Sequence, residues 1–579
     1  MKQLMLGNKA AARGLYEAGV SFVSSYPGTP STEITEEAVK YDEIYCEWAP
    51  NEKVAMEAAF GACLAGARSF CGMKHVGLNV AADPLYTMSY TGVNAGMVIG
   101  VADDAGMHSS QNEQDSRHHA IASKVPMLEP SDAAEAREFA IAAYDISEEY
   151  DTPVILKMCT RVSHCQSVVE PGDRTEHSKT YEKNIAKNVM TPANAIRRHP
   201  FVEERTRKLV EFAESCPFNR VEWGDKKIGI ICDSTSYHYV KEVFGEGASV
   251  LKIGLVNPLP EKLIKDFAAG VEKLYVVEEL DPIIENHCRV LGLDPCGKAA
   301  LPLLGEFSQN VVREAFGKEV PEGLSIDEDI PVRPPAMCAG CPHRGLFYSL
   351  VKNKCTVLGD IGCYTLAAGA PLNAIETTLC MGASVSSVHG FNKVGGEDSE
   401  KHTVGVLGDS TFMHSGMTGL ANIAYNQSNS TVVILDNSIT GMTGHQQNPT
   451  TGYNIKGDPA GKVDLEALIR AMGINRVAVV DPYDLEETDK AIKEELAAEE
   501  PSVIISRRPC ALLKYVKHEK PLYVNPDKCM KCKACMKIGC PALSFKETAV
   551  VDPTQCVGCG VCSQLCKFDA FEETGKGAE

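Results

Sequence analysis

The sequence predicts a multidomain α/β protein: parallel sheets flanked by helices, followed by a small cysteine-rich α+β domain. Short apolar runs such as VSFVSS (20–25), TVGVL (403–407) and TVVIL (431–435) lie between stretches of helical spacing, the pattern of buried parallel strands and their crossover helices. A chain of 579 residues exceeds what one core organises and suggests about three to five domains. Its 23 cysteines are an odd number and are densest near the C-terminus.

With 44% hydrophobic and 23% charged residues, the composition is that of an ordinary globular protein. No run of about 18 uncharged apolar residues occurs, so no membrane span is expected. The opening MKQLMLGNKAAARGLYEAGV is interrupted by Gly7, Asn8 and Lys9, which leaves no apolar core for a secretory signal; a cytoplasmic location is expected. The net charge of −20 repels phosphate and argues against nucleic acid as a partner. In that setting clustered cysteines point to metal or redox centres rather than structural disulfides.

The densest motif is Cys529-x2-Cys532-x2-Cys535-x4-Cys540-Pro541, followed by Cys556-x2-Cys559-x2-Cys562-x3-Cys566. Each short arm suits three thiolates around one iron–sulfur cube, with the fourth, more distant cysteine crossing to the other cube. Cys529, Cys532, Cys535 and Cys566 are therefore expected to hold one 4Fe–4S cluster, and Cys540, Cys556, Cys559 and Cys562 the second. Zinc is normally held by two pairs of ligands separated by a longer loop, not by this doubled triplet. The first copy has four residues before its last cysteine, and Lys567 stands where proline is common; neither change removes a ligand. Lys528, Lys531, Lys533, Lys537 and Lys567 surround these cysteines in an acidic chain. They read either as solvated surface or as a patch that steers an acidic ferredoxin.

Between 403 and 437, a strand ends in Gly408-Asp409-Ser410, a helical stretch follows, and a second strand ends in Asp436-Asn437. This is a βαβ unit with polar residues at the carboxyl ends of its strands, where α/β sheets bind ligands. The Asp409 carboxylate, the Asn437 side-chain oxygen and a backbone carbonyl near Ile439 suit a hard divalent cation such as Mg2+, with diphosphate oxygens and water completing the shell. Gly408 permits close backbone approach.

Near the N-terminus, Tyr26-Pro27-Gly28-Thr29-Pro30-Ser31 is a rigid turn after an apolar strand. Pro50 and Asn51 start a helix with Glu52 in its first turn, and Ala55, Ala58, Ala59, Gly61, Ala62 and Ala65 give that helix a small-residue surface. On its own, Glu52 reads as a complement to the helix dipole. The polar run 108–117 follows an apolar strand and Asp103-Asp104, and reads equally as a solvated loop or as an active-site loop in which Arg117 binds a carboxylate. Residues 166–225 read as a charged linker with some helix, 226–330 as a small α/β domain, and the proline-rich 330–344 as the next boundary. Cys338, Cys341, Cys363 and Cys510 are a looser set, open to a third cluster or to free thiols.

These motifs together resemble the thiamine-diphosphate-dependent 2-oxoacid:ferredoxin oxidoreductases. The resemblance covers nearly the whole chain and is strongest to the alpha subunits of the indolepyruvate type. It implies a pyrimidine-binding domain (1–165), a linker (166–225), a transketolase C-terminal-like domain (226–330), a diphosphate- and Mg2+-binding domain (331–515) and a two-cluster ferredoxin-type domain (520–579). Within it, Glu52 matches the glutamate that hydrogen-bonds the cofactor's aminopyrimidine, and Thr29 the threonine that contacts cofactor and substrate. Asp409, Asn437 and the Ile439 carbonyl match the metal ligands of a motif normally written GDG…NN. Here Ser410 replaces the second glycine and Asp436 the first asparagine. Cys338, Cys341, Cys363 and Cys510 match cysteines that hold a cluster close to the thiamine in some relatives. The implied reaction is ferredoxin-dependent oxidative decarboxylation of an arylpyruvate with coenzyme A to arylacetyl-CoA and CO2, carried out with a smaller beta subunit. Pyruvate or another 2-oxoacid as substrate, a non-oxidative decarboxylase with purely structural clusters, and a non-catalytic electron relay are the alternatives.

Overall fold

The computed structural model describes residues 1–573. It divides into two compact units, Met1–Ile326 and the chain from Asp327 onward.

The first unit is built on a seven-stranded sheet. Its spatial order is Leu255–Asn257, Met127–Leu128, Val154–Cys159, Met97–Asp103, Ser69–Lys74, Phe22–Ser25, Tyr45–Trp48. Every neighbouring pair is parallel except the first. The three central strands are buried at every position, as a parallel sheet covered on both faces requires. The helix Glu52–Ala65 covers part of one face. It starts where the Asn51 side chain accepts a hydrogen bond from the Val54 N–H at 2.9 Å, and ends at Gly66 with φ 104°. A Cβ on Gly66 would lie 1.6 Å from the Lys179 carbonyl oxygen, so only glycine fits there.

A second sheet has the order Lys273–Val277, Ile228–Asp233, Ser249–Ile253, Arg220–Glu222, the last strand antiparallel. Its core is continuous with that of the large sheet: Ile231, Leu251, Ile253 and Phe267 pack in one cluster with Met56, Met97 and Ile99. The strand Leu255–Asn257 leaves this region to extend the large sheet at its edge. In the stretch read as a linker, the helix Pro192–Ser215 begins with Thr191 as cap and proline in its first turn. From it the buried Arg205 donates to the Ser89 carbonyl at 2.8 Å.

Arg117 is not available to a substrate. It is 1% exposed, and all its N–H groups are taken. Nε and one terminal nitrogen bond Asp115, the other terminal nitrogen bonds Asp233 at 2.9 Å and Glu278 at 2.8 Å, and the carbonyls of Glu279 and Asp281 each accept at 2.9 Å. The polar run that suggested an active-site loop instead locks the two sheets of this unit together. Burial works against the Asp115 charge, yet Arg117 holds its pKa at about 2.

The second unit is built on a five-stranded, wholly parallel sheet in the order Thr356–Leu358, Thr403–Gly408, Thr431–Asp436, Ser502–Arg507, Arg476–Val480. Beyond them lie two antiparallel pairs, Leu522–Val524 with Phe571–Glu573 and Leu543–Phe545 with Ala549–Val551. Two 3-10 turns, Ala534–Ile538 and Ser563–Leu565, complete this small α+β region. Its core is slight, with Val524, Leu543, Ala549 and Ala570 packed against the cysteines themselves. Among the described residues, no helix is long and apolar enough to cross a membrane.

Candidate functional site

In the first unit, four neighbouring parallel strands deliver their carboxyl ends to one edge of the sheet. They bring Asp103-Asp104, Lys74-His75, the turn at 26–31, and Asn51-Glu52 to that edge. The turn is held rigidly. The Ser31 N–H and hydroxyl both donate to the Gly28 carbonyl at 2.8 Å, and Asn8 Nδ2 donates to the Pro30 carbonyl at 2.6 Å. A Cβ on Gly28 would lie 2.9 Å from the Cβ of Lys74, so the turn sits directly on the end of the adjacent strand. Thr29, at its apex, is half-buried.

Glu52 is buried in the first turn of its helix. The short helix His75–Val80 closes against it through Gly77, where an added Cβ would lie 2.5 Å from Glu52 Oε1. Burial, then the Glu52 charge, push the neighbouring Cys71 thiol well above its ordinary range. Burial also lowers the Lys74 ammonium, which Asp104 at 3.9 Å partly offsets. Burial and Lys74 together bring His75 down to about 4, so its imidazole is neutral at pH 7. Lys74, His75 and Gly77 escaped the sequence reading; a glycine three residues past the strand end at Lys74 was their signal. Gly77→Ala is expected to displace the Glu52 carboxylate and lower turnover at least about tenfold, because small misplacements of a reacting group are costly. Steady-state assays alongside a thermal melt check this, the melt separating misplacement from misfolding.

In the second unit, Thr403–Gly408 and Thr431–Asp436 are paired in parallel, with Gly408 opposite Leu435. Asp409 and Asp436 therefore emerge side by side. A helix starts at Asp409 and runs through a π turn, Phe412–Gly416, into Met417–Tyr425. A Cβ on Gly408 would lie 3.0 Å from the Tyr364 ring. The Asp409 carboxylate accepts from the Ser410 N–H at 2.8 Å and the Thr450 hydroxyl at 3.0 Å. Ser410 in turn accepts from the Thr440 hydroxyl at 3.0 Å. Asn437 Oδ1 accepts from the Ile439 N–H at 3.3 Å, and Ser438 between them adopts φ 59°. Asp436 accepts from Arg507 Nε at 2.9 Å, an ion pair that accounts for an acid at a position where the motif has asparagine. Burial, then Asp436, push Asp409 up to about 7. A buried carboxylate beside a second acid, with only neutral donors of its own, is what a divalent cation completes; the donor set fits Mg2+ and a diphosphate.

The eight C-terminal cysteines line two separate pockets. One is formed by Cys529, Cys532, Cys535 and Cys566 with Val524, Phe545 and Phe571. The other is formed by Cys540, Cys556, Cys559 and Cys562 with Leu522, Leu543 and Val551. In both sets the distant cysteine of one copy joins the triplet of the other. Burial, then the adjacent Cys559, Cys540 and Cys556 thiols, push the Cys562 thiol far above its ordinary range. Four sulfurs in an apolar pocket ionise together only around metal, and the pockets fit iron–sulfur cubes. The looser set is also drawn together. Burial, then Cys510 and Cys338, push Cys363 up to about 11, while burial, with Cys363 and Cys338 among the lesser causes, brings Cys341 to about 12. The Cys510 N–H donates to the Asn437 carbonyl at 2.9 Å, tying this set to the Asp409–Asn437 loop.

Strand-end acids on parallel sheets and paired four-cysteine pockets fit thiamine diphosphate and 4Fe–4S clusters, and the family models place the chain among the 2-oxoacid:ferredoxin oxidoreductases. Residues 13–214 match the family model "Pyruvate flavodoxin/ferredoxin oxidoreductase, thiamine diP-bdg". Residues 360–506 match "Thiamine pyrophosphate enzyme, C-terminal TPP binding domain", and 549–572 match "4Fe-4S binding domain". The chain belongs to the indolepyruvate oxidoreductase subunit IorA family. It is 40% identical to the subunit from Pyrococcus horikoshii over 100% of this chain and 97% of that one. It is 41% identical to the subunit from Thermococcus kodakarensis over 99% of this chain and 97% of that one. The 2-oxoglutarate synthase subunit KorA of Archaeoglobus fulgidus is 24% identical over 52% of this chain and 96% of its own. A solved 2-oxoglutarate:ferredoxin oxidoreductase from Magnetococcus marinus aligns with a TM-score of 0.47 at 18% identity, over 54% of this chain and 65% of that one.

Proposed function

We propose that this chain is the catalytic large subunit of an indolepyruvate:ferredoxin oxidoreductase. With a smaller partner subunit it converts an arylpyruvate and coenzyme A to the arylacetyl thioester and CO2, passing two electrons to ferredoxin. The full-length identity of about 40% to subunits named for indolepyruvate carries the substrate assignment. The domain division in this reading is 1–165 for the pyrimidine side, 226–330 for the transketolase C-terminal-like part, 331–515 for the diphosphate side and 520–579 for the ferredoxin-type part.

When bound, thiamine diphosphate supplies the nucleophilic carbon and the electron sink for decarboxylation. Glu52 holds and moves the proton exchanged with the cofactor's aminopyrimidine; its burial and the close fit of Gly77 support that role. Thr29 positions cofactor and substrate from a rigid turn. Asp409, Asn437 and the Ile439 carbonyl would hold Mg2+, which would neutralise the cofactor's diphosphate, with Gly408 and Ser410 shaping the turn. Cys338, Cys341, Cys363 and Cys510, tied to the Asn437 loop, would hold the cluster nearest the diphosphate side and so supply the first one-electron acceptor. Cys540, Cys556, Cys559 and Cys562 would hold the next, since their pocket includes Ala339 and Gly340, next in sequence to Cys338 and Cys341. Cys529, Cys532, Cys535 and Cys566 would hold the outermost.

The test is coenzyme-A-dependent ferredoxin reduction by the anaerobically purified complex on indolepyruvate, phenylpyruvate and pyruvate. The aryl substrates are expected to lead in kcat/KM. A preference for pyruvate would overturn the substrate assignment.

A further inference from the structure

The two C-terminal pockets differ in their surroundings. The pocket of Cys540, Cys556, Cys559 and Cys562 is buttressed by neighbouring loops of its own unit, and its four cysteines are all partly buried. Gln564 Nε2 donates to the Tyr483 carbonyl at 2.7 Å, and Gln564 Oε1 accepts from the Leu485 N–H at 3.1 Å. A Cβ on Gly340 would lie 2.2 Å from Val557. The other pocket reaches the surface: of the eight cysteines, Cys532 alone is exposed. Beside it Met530 is 63% exposed, and Phe568, two residues past Cys566, is 45% exposed.

Charge follows the same division. Lys528 adjoins Cys529, Lys531 and Lys533 flank Cys532, and Lys567 adjoins Cys566, whereas no lysine adjoins a cysteine of the other pocket. Residues 528–567 carry six lysines against two acids, with Asp527, Asp569, Glu572 and Glu573 just outside that stretch, in a chain whose net charge is −20. Lys528 is engaged with Glu572 at 2.8 Å. Lys531 and Lys533 adopt φ 55° and 59°, a region in which glycine or asparagine costs less than lysine. Exposed apolar side chains rimmed by charged ones mark a binding face, and here lysines lie nearest the exposed cysteine.

We propose that the face formed by Met530, Lys531, Lys533, Lys567 and Phe568 is the docking surface for an acidic one-electron carrier protein, which takes electrons across the exposed edge at Cys532. The proposal rests on reading the Cys529, Cys532, Cys535 and Cys566 set as a 4Fe–4S centre. The lysines steer an acidic partner to that edge, and the apolar pair seats it. A small, transient contact of this kind suits rapid turnover of the carrier.

The test uses the holoenzyme complex carrying Lys531→Asn with Lys567→Glu, asparagine being chosen because it tolerates the left-handed backbone. Reduction of an acidic ferredoxin is compared with reduction of methyl viologen, a small cation that needs no docking face, at low and high salt. At low salt the kcat/KM for ferredoxin is expected to fall about tenfold or more. The deficit should shrink as salt screens the patch, and the viologen rate and iron content should stay unchanged. Lys567→Arg, which keeps the charge, should behave as wild type. An unchanged ferredoxin kcat/KM overturns the assignment. A parallel loss of viologen activity and iron also overturns it, showing that the lysines serve the centre itself. Wild-type complex lacking the iron of this centre would fail the underlying reading, and that is scored separately from the variant.

Discussion

Glu52→Gln is expected to lower substrate-driven electron release by about 10²–10⁴-fold, the range in which a positioned acid–base group contributes. Glutamine keeps the size and leaves the fit with Gly77 intact, but it cannot hold and return a proton. Bound thiamine diphosphate and iron should therefore stay at wild-type levels. Those two assays, run beside the rate, separate a chemical loss from a binding loss. A variant within about twofold of wild type would remove Glu52 from the mechanism. The helix start is fixed by the Asn51 cap, so the change has no route to the rate through helix loss.

Replacing Arg117 with Met is expected to destabilise the first unit by about 3–5 kcal/mol at pH 7, the cost of stranding buried charges without their partner. Asp115, Asp233 and Glu278 all lose their main counter-charge. The pH dependence separates this from a packing defect. Asp115 is depressed in the folded state to about 2, so its contribution is present above its unfolded value and lost as pH falls through that window. The deficit of the variant should thus be largest at neutral pH and shrink below about pH 4. Burial raises Asp103 to about 6 and Glu279 to about 7. These groups hold more protons in the folded than in the unfolded state, so they weaken the fold as pH rises from about 4 to about 7. Denaturant titrations of both proteins at pH 7 and pH 4 test this; a deficit independent of pH would contradict the charge network.

The sequence was most legible where chemistry is local. Spacing alone picked out the two sets of four cysteines that line separate pockets, the crossing partners Cys566 and Cys540 included. Gly408-Asp409 and Asp436-Asn437 were readable because each ends an apolar run. Glu52 was legible only through resemblance, since a glutamate in a first helical turn has an ordinary explanation. Neither reading of Arg117, solvated or carboxylate-binding, held, because its partners Asp233 and Glu278 lie more than a hundred residues away in the chain. The same distance hid the shared core of the first unit. No local signal tells that Leu255–Asn257 pairs with Met127–Leu128.

The most direct measurement is a single anaerobic mixing of the holoenzyme complex with indolepyruvate, without external acceptor, following CO2 and the iron–sulfur absorbance together. The account predicts that CO2 appears while the clusters bleach, and that both disappear when thiamine diphosphate is removed. CO2 released with the clusters remaining oxidised would contradict it, leaving a decarboxylase whose iron–sulfur centres take no part in the reaction.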